Sequence, residues 1–168
     1  MLIRYTKVVL AVFVTSISVI ACTSNSVINP QWANYQSWQK ANPEPITGAS
    51  PFLGNVHRGS DGFRNIFVND IGASVYFSDG PYEYPEGTVV VKEQTSSLRK
   101  LEEGKVDQTI MIKLAKGASP QTSDWGFARK LNDTINSGDS SDAKFCGGCH
   151  QIPATQGKDY LFTNASTF

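Results

Sequence analysis

Charge of one sign is not in excess here. Lys and Arg number 15, Asp and Glu number 15, and the pI is about 6.7. Without a basic surplus there is no electrostatic footprint for a phosphate backbone, so nucleic acid is excluded as a partner. Cysteine is scarce: 3 residues are too few for a disulfide scaffold, and their odd number needs an explanation. The histidines are only His57 and His150, and the one internal methionine is Met111. No apolar run reaches the roughly 20 residues of a spanning helix. What is present suffices for a fold. Hydrophobic residues make up 40% of 168, which excludes wholesale disorder and suits one domain.

Residues 1–21 are expected to lie outside that domain. Arg4 and Lys7 form a basic start, and residues 8–21 form an apolar stretch of secretory-signal length. The stretch ends Val19-Ile20-Ala21-Cys22, which resembles the lipobox of bacterial lipoproteins, whose cysteine takes the lipid. The alternative is ordinary cleavage near Ala21, leaving Cys22 as a thiol that is a liability outside the cytosol. The lipoprotein reading makes 1–21 a signal peptide, Cys22 the lipid attachment point and 22–30 a polar tether. Loss of Arg4 and Lys7 leaves a mildly acidic mature chain in the periplasm or cell envelope.

The mature chain has no internal repeats. Pro30 can open a helix over residues 31–41, where Trp32, Tyr35 and Trp38 recur every three positions and give one aromatic face. Residues 42–62 are rich in proline and glycine and read as a long loop around His57. RNIFVN (64–69), TVVVKEQ (88–94) and QTIMIKLA (108–115) have strand composition. Residues 70–79 fit a strand or a short helix, 125–131 a strand or a helical turn, and 132–144 are polar. Short strands between turns, with an early helix, predict an α+β domain over 31–168: mainly antiparallel sheet with helices packed against it.

Cys146-Gly-Gly-Cys149-His150 carries the chemistry. C-x-x-C-H is the attachment pattern of c-type haem. Two thiols three positions apart lie on adjacent turns of a short helix, each able to form a thioether to one vinyl group. The following histidine then comes under the iron. Gly147 and Gly148 are expected to leave room for the porphyrin edge. A zinc site lacks a second ligand pair, a thioredoxin-like pair lacks its βαβ context, and a plain disulfide leaves His150 unexplained. The expectation is one covalent haem c on a C-terminal helix, with His150 as the axial ligand. No methionine follows the motif, and Met111 in its strand pattern reads as core. His57 is the alternative sixth ligand; as a loop histidine it reads first as a hydrogen-bonding residue. The iron is therefore expected to be five-coordinate, and an open site binds or transforms small molecules.

The late position of the motif and the pieces around it resemble the cytochrome P-460 family, which includes the β-sheet cytochromes c-prime-beta. The matching pieces run in order from Trp38 through Arg64-Asn-Ile-Phe-Val-Asn69, Tyr84 to Glu93, Ile110 to Lys113, Asp124 to Phe127, Cys146 to His150, and Asp159 to Phe162. The four-helix cytochromes c-prime also carry a late motif, but long heptad-like segments are missing here. The resemblance implies a homodimer and a proximal His150. It also implies that Lys92 corresponds to the lysine cross-linked to porphyrin in hydroxylamine-oxidising members. Bottom-up, Lys92 shares a strand face with Thr88 and Val90 and could equally face solvent. Those members also carry a distal carboxylate in the next strand. Here TIMIKLA holds no acid, and Glu102, Glu103 and Asp107 are expected in the turn before it. That leaves an apolar distal face of Ile110, Ile112 or a nearby Phe. Arg64 is the polar candidate, distal or paired with a propionate.

Three functions follow. An oxidoreductase would oxidise hydroxylamine or nitric oxide and pass electrons to an external acceptor such as a soluble cytochrome. A nitric oxide-binding module would capture gas without catalysis. An electron-transfer cytochrome would need a sixth protein ligand.

Overall fold

The computed structural model describes residues 29–47, 62–131 and 134–163. Residues 1–21, Cys22, most of the tether and His57 lie outside the described residues. Among the described residues, no helix is long and apolar enough to cross a membrane.

The domain is α+β. Its strands are β1 (Gln39–Lys40), β2 (Ile46–Thr47), β3 (Phe63–Val68), β4 (Val89–Thr95), β5 (Asp107–Lys113) and β6 (Trp125–Ala128). All pairings are antiparallel in the order β1-β3-β4-β5-β6, with β2 also on β3. The helices are α1 (Asp70–Tyr76), α2 (Leu98–Glu102) and α3 (Ser141–Ala154). Each starts on a polar cap. Asn69, Ser97 and Ser140 accept from the amides of Gly72, Lys100 and Ala143 in the first turn of each helix.

The expected helix over 31–41 does not form. A single 3-10 turn, Tyr35–Ser37, gives way to extended backbone at Trp38, and Gln39 and Lys40 pair with Val68 and Phe67. An open sheet edge on β3 offers these two residues ladder bonds that a helix would forgo. The aromatic spacing still delivers one face: Trp32 and Tyr35 are buried against the sheet, and Trp38 packs beside them. Helix wins over residues 70–76 and strand over 125–128.

Register decides what each sheet face carries. On one face Ile66, Val68, Val90, Met111 and Phe127 form a core with Ala143 and Tyr160, and Cys146 packs against it. On the other, Phe67, Val89, Val91, Ile110, Ile112 and Ala128 pack on Trp32 and Tyr35. Strand side chains alternate, so Ile110 and Ile112 belong to the N-terminal side, away from α3. The expectation that they wall a haem pocket is thus corrected. Met111 is buried core, as expected.

Candidate haem site

Helix α3 carries the motif. Cys146 and Cys149, both free thiols and both partly buried, sit one turn apart. Burial pushes the Cys146 thiol up, and the Arg129 guanidinium, which also bonds to it, acts the other way. Gly147 is buried, and a Cβ there would come within 2.7 Å of Thr122 Cγ2. It therefore serves the docking of α3 on the 3-10 turn Pro120–Thr122, and the expected role as porphyrin clearance is left to Gly148, around which nothing lies within 4 Å.

His150 stands between two aromatic rings. Its ring centroid lies 5.6 Å from that of Phe127 and 5.2 Å from that of Phe162. Nδ1 is 2.8 Å from the Tyr160 carbonyl oxygen. Burial above all holds the imidazole down at about 4, the Tyr160 carbonyl opposes this, and the Lys92 charge adds to it. The ring is thus neutral at physiological pH, the form that ligates metal. With Nδ1 on a carbonyl, Nε2 is the nitrogen presented to a metal.

Lys92 is on the same side. It pairs in register with Ile66 and Thr109 and alternates with Val90, which puts its side chain on the α3 face. Burial, then the neighbouring Arg64 guanidinium, brings its amine down to about 7. The solvent-facing alternative for Lys92 gives way to a half-buried amine whose charge reaches the His150 ring. Arg64 is 7% exposed and lies opposite Gln94, next but one to Lys92 on this face. The Gln94 Oε1 atom is buried with no hydrogen-bond partner among the described residues.

The acid expected in a turn is partly elsewhere. Glu102 ends α2, and Glu103 caps it and pairs with Arg99 and Lys105. Asp107 is the first residue of β5, opposite Gln94 and in step with Thr109. Strand β5 therefore does carry a carboxylate, exposed, on the face of Lys92. Residue composition could not show this, because the strand begins one position before its hydrophobic pattern.

The donor set fits haem c. Two thiols a turn apart, a neutral imidazole directly after the second, and an aromatic and apolar wall are what that group requires. Among the described residues no three His, Cys, Asp or Glu side chains cluster to hold a bare metal ion. Sequence reasoning did not assign roles to Phe127, Phe162, Arg129 or the Tyr160 carbonyl. The last is a main-chain atom and leaves no mark in residue identity.

A search of curated proteins finds no match. The family model described as Cytochrome P460 matches residues 32–163. That span runs from the buried Trp32 through the haem motif to the tail beyond His150, and the chain belongs to the cytochrome P460 family of haem proteins.

Proposed function

We propose that this protein is an exported c-type cytochrome that oxidises a small nitrogen oxide, hydroxylamine or nitric oxide, at a single five-coordinate haem. Cys146 and Cys149 would hold the haem by thioethers, and His150 would be its protein ligand. When bound, the haem would supply the redox chemistry, and the electrons released by the substrate would pass to an external acceptor such as a soluble cytochrome. The reading includes a lipid anchor on Cys22, a periplasmic or envelope location and a homodimer.

The observation that carries it is Lys92. A lysine brought down to about 7 is substantially neutral at physiological pH, so its amine is nucleophilic. It lies on the haem side of β4, where the family resemblance assigns the porphyrin cross-link. Asp107 supports catalysis, since a carboxylate on that face can take protons from a bound nitrogen substrate. Arg64, across Gln94 from Asp107, can pair with a propionate or hold substrate polarity.

The test is the mass and visible spectrum of the proteolytic haem peptide. A peptide joining the Cys146–Cys149 segment to the Lys92 segment is expected, and Lys92→Met should return an ordinary high-spin spectrum. A haem peptide with the two cysteines alone rejects the cross-link. The apolar side chains that this sheet face carries, Ile66, Val90 and Met111, favour a second reading, capture of neutral nitric oxide without turnover. Hydroxylamine-dependent reduction of an added acceptor, lost in Asp107→Asn, separates the two.

A further inference from the structure

The acceptor of the His150 proton is built on a left-handed backbone. After α3 the chain turns back, and Asp159 and Tyr160 adopt φ of 41° and 67°. Two successive non-glycine residues in this region persist only where their surroundings over-determine them. Here the surroundings converge on one carboxylate. Asp159 Oδ2 accepts from the Tyr84 amide at 3.1 Å and from Lys113 Nζ at 2.9 Å. Oδ1 accepts from the same Nζ at 3.1 Å and from Trp125 Nε1 at 3.3 Å. The two side chains are 14% and 17% exposed, the least exposed ion pair among the described residues. Lys113 Nζ also lies 5.0 Å over the Trp125 ring, and Tyr160 and Leu161 are buried beyond the turn. The donors come from three separate places: the loop before β4, β5 and β6.

We propose that Asp159 is a positioning residue for the axial histidine. Clamped by Lys113, Trp125 and the Tyr84 amide, it holds the turn so that the Tyr160 carbonyl accepts the Nδ1 proton of His150. Through that bond it sets the orientation and basicity of Nε2 toward haem iron. A histidine whose far nitrogen donates to a carbonyl is a stronger, better-oriented ligand, and such outer partners are part of a metal site. The inference rests on the haem reading and goes beyond it, because neither the motif nor the family match assigns a role to Asp159 or Lys113.

The test uses the full chain matured with haem, first weighed to show haem on Cys146 and Cys149. Absence of that mass in the unsubstituted protein overturns the haem reading, and this inference with it. With haem present, Asp159→Asn is compared with the parent by the ferrous iron–histidine stretching frequency and the midpoint potential. Loss of the clamp weakens the Nδ1 bond, so the frequency should fall and the potential should rise. Lys113→Met should move both in the same direction by less, since the Trp125 and Tyr84 donors remain. Lys144→Met, which removes an exposed pair with Asp139, should move neither. An unchanged frequency and potential in folded, haem-loaded Asp159→Asn overturns the proposal. If Asp159→Asn does not fold, Lys113→Met decides, and no shift in it overturns the proposal equally.

Discussion

Gly147 and Gly148 are neighbours in one motif with opposite surroundings. The side chain that a Gly147→Ala methyl would strike, Thr122, cannot easily yield. Its hydroxyl donates to the Trp125 carbonyl at 2.6 Å and lies 2.7 Å from Ser119 Oγ. Gly147→Ala should therefore overpack the α3 contact and destabilise the protein by about 1–3 kcal/mol. Gly148→Ala meets open space and should stabilise the helix of the haem-free chain by about 0.5–1 kcal/mol. Urea unfolding of the two variants before haem attachment checks the pair, and equal effects would refute the distinction. Lys92 adds a pH prediction. Its amine titrates near 7 in the fold against 10.5 as the ordinary value. Between those values the unfolded chain carries a proton that the folded chain does not, so stability rises with pH across that window. Measured against Lys92→Met before haem attachment, the parent should gain stability from about pH 7 to 10.5 while the variant lacks that increment. A difference that falls with pH would reverse the assignment.

Strand β4 shows which parts of an element are written in residue order. The β-branched run TVVVKE marks it as a strand at sight, and QTIMIK does the same for β5. Which face meets α3 is not marked, because Val89, Val90 and Val91 are alike. Composition therefore allows Ile110 and Ile112 on the haem side, and register puts them on the other. The N-terminal segment departs from its local pattern for a related reason. Aromatic residues three apart fit a helix, yet the β3 edge claims Gln39 and Lys40, a contact that local spacing does not reveal. The same segment is fastened by a polar node. Glu93, buried on the face away from the haem, accepts from Tyr35 Oη at 2.5 Å, from Asn65 Nδ2 at 3.2 Å and from Gln36 Nε2 at 3.4 Å. Burial first, then Glu93, pushes the Tyr35 phenol well above its usual range, so it remains a donor. Tyr35→Phe leaves that carboxylate one donor short and should cost about 1–3 kcal/mol. It should also speed hydrogen exchange through residues 32–38. Thermal unfolding and exchange mass spectrometry check this, and a neutral effect would mean that the node does not anchor the segment.

At the scale of the whole molecule the site is assembled from distant parts of the chain. The thiols and imidazole come from α3, the amine from β4, the guanidinium from β3 and the proton acceptor from the tail after α3. The candidate ligands are legible because C-x-x-C-H places them in one short run. The walls and the Asp159 clamp are not, because they depend on which strands pair and where the tail returns. The family match starts at Trp32, ten positions after Cys22. On the proposed reading, this separation should make the two uses of cysteine independent of each other. In that reading Cys22 would serve a membrane anchor, and Cys146 with Cys149 would serve a haem within the matched span. Cys22→Ser should then move the protein from the membrane fraction to the soluble envelope fraction while leaving haem content unchanged. Cys146→Ser with Cys149→Ser should do the reverse, abolishing covalent haem in a chain that stays with the membrane. One acyl chain binds a bilayer only marginally, whereas a cysteine bearing several holds it stably, so the shift should be close to complete. Fractionation combined with haem staining reads both variants. A Cys22→Ser protein that remains with the membrane would refute the lipid anchor, and one that loses its haem would refute the independence of the two parts.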